Sequence, residues 1–225
     1  MSEHTTLQDL HLVLKAPAPW KLKGEGIILI FKFNKDWVEN HAHLPKHLVG
    51  KFRGGLGYVM LVDYHESPVG PYRELLIIPG KFRKTKMQAI TKIYVDSEAS
   101  TLNGRKNWGI PKETLPFVWT KEQGRDIIGI KFGEKEVFSV EITHGGLSFP
   151  VSTSLLPIRL CQTLDKVKYY TKPFGSGWGK LAKIKSLAIN PDFFPDFSGI
   201  KPLMAVKVNP FEIHFPEPTY GDEFI

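Results

Sequence analysis

One primary amine, one carboxylate and a group of imidazoles are the side chains whose types and placing could do chemistry in this sequence. Lys112 follows Gly109-Ile110-Pro111 and precedes the apolar positions Leu115, Phe117, Val118 and Trp119. A lone lysine at a rigid corner between apolar elements is a candidate for desolvation. Only the neutral amine attacks a carbonyl carbon. A lysine in water has a pKa of about 10.4, so useful reactivity at neutral pH needs a drop of about 3 units, or roughly 4 kcal/mol. Burial can supply that by penalising the cation, and Trp108, Ile110, Leu115 and Phe117 are the nearby residues that could wall the amine in. The plain alternative is a solvated lysine after a helix.

The carboxylate is Glu74, in Gly70-Pro71-Tyr72-Arg73-Glu74-Leu75-Leu76-Ile77-Ile78. Period-two alternation puts Glu74 with Leu76 and Ile78 and puts Arg73 with Leu75 and Ile77. Both faces are apolar further along, so the strand is central and a charge at the rim of its core needs a partner. That partner could be Arg73 or Arg105 in a purely structural ion pair. His41, His43 and His47 are close enough in sequence to suggest zinc. Pro45, however, interrupts the helix that would align His43 with His47, and no acid or thiol lies near, so we read a polar loop and expect neither metal nor cofactor. Gly54-Gly55-Leu56-Gly57 leads into a strand and Gly175 to Lys180 lies between strands; both read as turns or bulges, not phosphate loops. No Gly-x-Ser-x-Gly elbow or cysteine-histidine pairing offers another nucleophile.

The elements that must position the amine can be read on either side of it. Ala89 to Val95 alternates as a strand, Asp96 and Ser97 are both suited to cap a helix, and a short helix from Glu98 to Trp108 is expected. Gly109 and Pro111 supply its stop. Gly24 to Phe33 reads as a strand with Ile27, Leu29 and Phe31 on one face and Ile28, Ile30 and Lys32 on the other. Asn34 then caps a helix holding Trp37 and Val38. Arg125 to Phe132, Glu136 to Thr143 and Leu147 to Ser152 read as three strands in a meander, and Val167 to Thr171 as another. Lys180 to Ile189 is strand or helix, Asn190 to Gly199 is a Pro- and Phe-rich loop, and Leu203 to Val208 with Phe211 to Phe215 closes the set. Residues 1 to 23, with an apolar patch from Leu7 to Leu14, read as an arm packed across the body. The fold expected is mainly β: one domain over residues 1–225, a curved antiparallel sheet closing into a barrel with a few short helices.

Glu98, Gly104-Arg105 and Pro111-Lys112, with Gly70-Pro71-Tyr72-Arg73-Glu74 upstream, resemble the acetoacetate decarboxylase family over roughly residues 55 to 119. That family's signature is a Glu, a Gly-Arg pair and a Pro-Lys whose lysine forms a Schiff base with substrate. It is the standard instance of a lysine activated by desolvation or by a cationic neighbour. The resemblance implies a cone-like β barrel with Lys112 in its interior, Glu74 in substrate gating or proton handling, Tyr72 and Trp108 supporting substrate, and a homo-oligomer. Glu98 and Arg105 are expected to brace the helix against the sheet. The chain departs from the family where a second lysine should follow the reactive one, because that position is Glu113; adjacent side chains of an extended segment point to opposite faces, so Glu113 can turn outward. The helix end after Trp108, with its partial negative charge, would favour the ammonium form. The upstream acidic position is Val59, and no arginine stands among Lys21 to Glu25, leaving Lys23 or Arg53 to replace its charge.

Composition sets the remaining bounds. With 42% apolar residues the chain can fill a core, and 12% aromatics with 20 Gly and 17 Pro favour short strands joined by turns. The single cysteine, Cys161, excludes an internal disulfide and fits a reducing compartment. No secretory pattern opens the chain and no apolar run reaches the roughly 18 residues of a membrane span, so a cytoplasmic, non-membrane protein is expected. The net charge of +7 is interspersed apart from Lys81 to Lys86 and accompanies no nucleic-acid motif, so a basic mouth for small carboxylates is the more economical reading. The function expected is that of a Schiff-base lyase acting on a small oxo acid, with decarboxylation ahead of aldol or dehydration chemistry. A barrel that binds a small ligand without turnover is the competing class.

Overall fold

The alternation read over Gly24 to Phe33 is realised as strand β1 (Trp20–Phe31), and the two faces it separates organise the molecule. Ile27, Leu29 and Phe31 enter one core, Ile28 and Ile30 the other. The structure, a computed structural model, describes residues 15–222; the apolar patch Leu7 to Leu14 lies outside them. The described start of the arm does pack on the body: the Ala16 N–H donates to Asn103 and its carbonyl accepts from Asn107 and from the Trp20 indole.

After β1 come helix α1 (Lys35–His41) and strands β2 (Phe52–Gly54), β3 (Gly57–Glu66), β4 (Tyr72–Ile78), β5 (Lys81–Phe82) and β6 (Lys92–Val95). Helix α2 (Glu98–Trp108) leads to β7 (Lys112–Thr114), β8 (Phe117–Glu122), β9 (Arg125–Phe132) and β10 (Lys135–Ser152). Then follow β11 (Leu160–Leu164), β12 (Val167–Thr171), β13 (Phe174–Ile189), β14 (Met204–Phe215) and β15 (Thr219–Asp222). Asn34 caps α1 by accepting the Trp37 N–H at 2.7 Å, as its position suggested.

Ten strands form one sheet in the order β7-β6-β4-β3-β1-β14-β13-β10-β9-β8. Its edge strands β7 and β8 are consecutive in the chain, separated only by Leu115 and Pro116. Two residues span at most about 3.6 Å each, so the sheet must curl until its ends nearly meet. Leu61, Ile77, Tyr94, Trp119, Ile128 and Ile142 pack on the face inside this curl, plugged by Phe194 and Phe197 from the Pro- and Phe-rich loop. On the opposite face Val62, Leu76, Ile93 and Val95 pack with Trp108 and Ile110.

Three expectations change. The sheet is antiparallel except for β6 and β7, which pair in parallel through the α2 crossover. Glu136 to Thr143 and Leu147 to Ser152 are one strand, β10, whose register shifts between Gly145 and Phe149 where a turn was expected. Lys180 to Ile189 belongs to the long strand β13, and Leu203 to Phe215 is nearly all one strand, β14. Among the described residues, no helix is long and apolar enough to cross a membrane.

Candidate active site

Helix α2 fixes the amine. Ser97 caps it by accepting the Ser100 N–H, and Gly109 ends it at φ 61°, where its N–H reaches back to the Arg105 and Gly104 carbonyls. That left-handed exit, cheap for glycine, reverses the chain, so β7 brings the Lys112 side chain back along the helix. A Cβ on Gly104 would lie 2.7 Å from Cδ and 2.9 Å from Cε of Lys112, so only glycine leaves a channel for the lysine stem. Arg105 Nε donates to the Lys112 carbonyl at 2.8 Å, and the Thr101 and Thr114 hydroxyls meet at 2.8 Å. The Gly-Arg pair is therefore a cradle and a clamp for one residue.

The Lys112 ammonium is 4% exposed. Nζ donates to Glu74 Oε2 at 2.9 Å, to Ser100 Oγ at 2.9 Å and, at the limit of a hydrogen bond, to the Tyr72 hydroxyl at 3.5 Å. It also stands 4.9 Å from the centre of the Tyr72 ring. Glu74, Tyr72 and Ser100 are all buried. The pairing of Glu74 with Val95 and of Ile93 with Lys112 sets these side chains on one face across three adjacent strands.

This pairing reverses one expectation. Burial alone would push the Lys112 amine down, but the Glu74 carboxylate and the Tyr72 hydroxyl outweigh it, and the amine is held above its ordinary value. The resting pair is an ammonium and a carboxylate. One feature opposes the cation besides burial. Ser100 belongs to the first turn of α2, so Nζ sits at the positive end of the helix and not at its negative end as the sequence suggested. The Tyr72 hydroxyl is pushed up to about 12, mainly by burial, with Lys112 opposing and Glu74 adding to the rise.

Lys112, Glu74, Tyr72 and the Arg105 clamp thus come together. Trp108 lies in the wall above β6, donating to the Pro216 carbonyl at 2.8 Å and meeting Trp20 edge-on. Glu98 is exposed in the first turn of α2. Leu115 and Phe117 pack inside the curl, on the other face from Lys112, and Val59 does the same, so none of them walls the amine. The lysine itself lies outside that inner core, under α2, and not in the barrel interior. Glu113 turns outward, as expected, onto Lys92 at 2.6 Å. Neither proposed substitute for the arginine reaches the site: Lys23 pairs with Glu66 at the surface and Arg53 is exposed on β2. Arg73 pairs with Asp96, and Asp63, not with Glu74. His43 Nε2 donates to the Pro191 carbonyl at 3.0 Å. Sequence reasoning missed Ser100 and Tyr64, and it read Gly104 only as part of the Gly-Arg pair and not as the cradle of the lysine stem; the small-residue run Ala99-Ser100-Thr101 and the glycine inside a helix were the available signals.

On the same face of the sheet as Glu74 lies a hollow of about 350 Å³ between β3, β1 and β14 and the ends of β10 and β13. Tyr64 lines it and packs on Tyr72 with ring centres 4.8 Å apart, so the two tyrosines partition hollow from amine. The basic run Lys81 to Lys86 lines no part of it, so the expected basic mouth is absent there.

A second charged cluster closes one end of the inner core. Lys207 lies between Glu25 at 2.8 Å and Asp126 at 2.9 Å, and Asp126 also accepts from the Trp119 indole at 2.7 Å. Lys121 bridges Glu25 and Asp63. Glu25, Asp63 and His65 bring potential metal-ligating atoms within 4.8 Å of one another, but Lys121 and Lys207 already neutralise those carboxylates.

Three sets of relatives share parts of this description. The chain is 32% identical over 104 residues to Protein NEOXANTHIN-DEFICIENT 1 of Solanum lycopersicum, 44% of this chain and 34% of that protein. It is 30% identical over 106 residues to the protein of that name in Arabidopsis thaliana, 45% and 37% of the two chains. The chain thus spans about a third of the length of these curated relatives. Among solved structures, the acetoacetate decarboxylase from Legionella pneumophila matches with a TM-score of 0.68 at 14% identity, covering 100% of this chain and 98% of that one. The enduracididine biosynthesis enzyme MppR matches at 0.66 and 16% identity, over 94% and 91%. At these identities the likeness is one of fold. The family model described as acetoacetate decarboxylase matches residues 12–157, which include Tyr72, Glu74, Gly104, Arg105 and Lys112, and the chain belongs to that family.

Proposed function

We propose that this chain is a Schiff-base lyase that decarboxylates a 3-oxo acid through Lys112. The observation that supports the reading most is the amine itself, closed off from solvent within 2.9 Å of a buried carboxylate. The ammonium first gives one proton to Glu74, and the freed lone pair of Nζ attacks the carbonyl carbon. Glu74 passes that proton to the alkoxide oxygen, takes a second proton from the nitrogen and delivers it to the hydroxyl, so that water leaves and a protonated imine remains beside the Glu74 carboxylate. The bond to the carboxylate carbon then breaks. Its electron pair becomes the enamine double bond, the imine π pair settles on nitrogen, and carbon dioxide departs. The enamine carbon takes up one proton, and water adds to the resulting imine to release the ketone and the lysine ammonium.

Acetoacetate is the first substrate to test. Carbon dioxide release that disappears in Lys112→Arg supports the proposal; release that survives in that variant contradicts it. An aldolase reading has one observation behind it: MppR, of similar fold, has been solved with pyruvate and with the condensation product of pyruvate and imidazole 4-carboxaldehyde. Consumption of pyruvate only when an aldehyde is added would favour that second reading.

A further inference from the structure

The hollow beside the site has a chemistry of its own. Ile28, Met60, Val62 and Tyr64 form its floor, and Val151 and Leu156 stand over it. Among the described residues, no lysine, arginine or histidine lines it, and its one ionisable carboxylate, Glu212, is held by Lys21 at 3.1 Å and His214 at 2.9 Å. An anion placed there would be desolvated with no partner, whereas a hydrocarbon chain would exchange water for apolar contacts. Its volume of about 350 Å³ falls in the ~300–1,000 Å³ range of small-molecule sites.

Its lining stops one strand short of the reactive groups. Val62 in its floor is the strand partner of Glu74, and Tyr64 is the partner of Tyr72. Side chains of paired residues share a face at about 5 Å. The Tyr64–Tyr72 pair therefore stands between a molecule lying in the hollow and the Lys112 side. At the outer end Leu155, Leu156 and Met204 are exposed, continuing the apolar path to solvent.

We propose that this hollow binds the hydrocarbon chain of the substrate, so that the preferred substrate is a 3-oxo acid with an extended apolar tail and its oxo-acid head at Lys112. The inference rests on the lyase reading above for the head, but on the hollow alone for the tail.

The test uses the full chain and two independent readouts. One is kcat/KM for 3-oxo acids lengthened one methylene at a time from acetoacetate. The other is the Kd, by calorimetry, of the matching 2-alkanones, which are the decarboxylation products and carry no carboxylate. Both should improve by about four-fold per methylene over the first several steps, and Val151→Trp, which narrows the hollow, should flatten the series. Carbon dioxide release from acetoacetate with no gain from longer chains in either readout overturns the tail site and leaves the lyase reading standing. Alkanone binding that tightens with length in a protein that releases no carbon dioxide supports the tail site and sinks the lyase reading. A flat series together with self-association abolished by Leu156→Lys overturns the proposal in favour of a second copy of the chain covering the hollow.

Discussion

Lys112 is caught between a low-dielectric surrounding that rejects its charge and a carboxylate that retains it, and the carboxylate wins. Removing that carboxylate should release the first influence. In Glu74→Gln the amine is expected to titrate at lower pH than in the native chain, so the rate of imine formation with an oxo acid, followed from neutral to alkaline pH, should reach its plateau earlier. Overall turnover should nevertheless fall by about a hundred-fold or more, because the proton relay is gone. An unshifted profile would show that Glu74 does not set the state of the amine. For stability the sign is the opposite of that for reactivity. A lysine held above its ordinary value stabilises the fold fully below that value, and the contribution is lost as pH rises through the folded one. The reactive pair was legible because Pro111-Lys112 and Tyr72-Arg73-Glu74 keep recognisable contexts. The direction of the shift was not, because the sequence shows neighbours along the chain. The carboxylate beside Lys112 in sequence, Glu113, is spent on Lys92, while the one beside it in space arrives from β4.

Helix α2 acts as a lid whose one glycine is occupied by a lysine stem. Gly104→Ala is expected to gain up to about 1 kcal/mol of intrinsic helix propensity while its new methyl meets Lys112 Cδ and Cε, displacing the amine from Glu74 and Ser100. Imine formation per folded molecule should drop about ten-fold or more, read by kinetics at a temperature where a melting curve shows the variant folded. Unchanged imine formation per folded molecule would mean that the glycine serves packing alone. The ends of α2 were readable to the residue, since Ser97 is a strong start signal and Gly109 a strong stop signal. The parallel pairing of β6 and β7 departs from the antiparallel sheet expected, although a strand, a full helix and a strand in succession is the mark of a parallel crossover.

At the scale of the molecule, the curl of the sheet places two buried lysines on opposite faces with different surroundings. Lys112 shares its face of the sheet with a hollow; Lys207 is locked between Glu25 and Asp126 at the end of the inner core. Lys207→Met would leave two buried carboxylates short of their ammonium partner and should destabilise the fold by about 3–5 kcal/mol, with imine formation at Lys112 per folded molecule unchanged. Denaturant titration and labelling would separate the two effects. Glu25 adds a pH limb: burial pushes its carboxyl up, but Lys121 and Lys207 hold it below its ordinary value of 4.5. Its contribution is therefore present above that value and lost as pH falls through the folded one, so Glu25→Gln should flatten the acid side of the stability profile. The mainly β curl was legible from strand periodicity and turn residues. The cross-sheet charge cluster was not, since its members come from β1, β3, β8, β9 and β14 and no local pattern links Glu25 to Lys207.

The central claim, that the buried amine of Lys112 joins covalently to an oxo acid, is tested most directly by borohydride reduction in the presence of acetoacetate, followed by peptide mass mapping. The account predicts one stable adduct, confined to the peptide that carries Lys112 and absent without the oxo acid. An unmodified Lys112 peptide from protein shown to be folded, or an adduct spread over surface lysines, would contradict it.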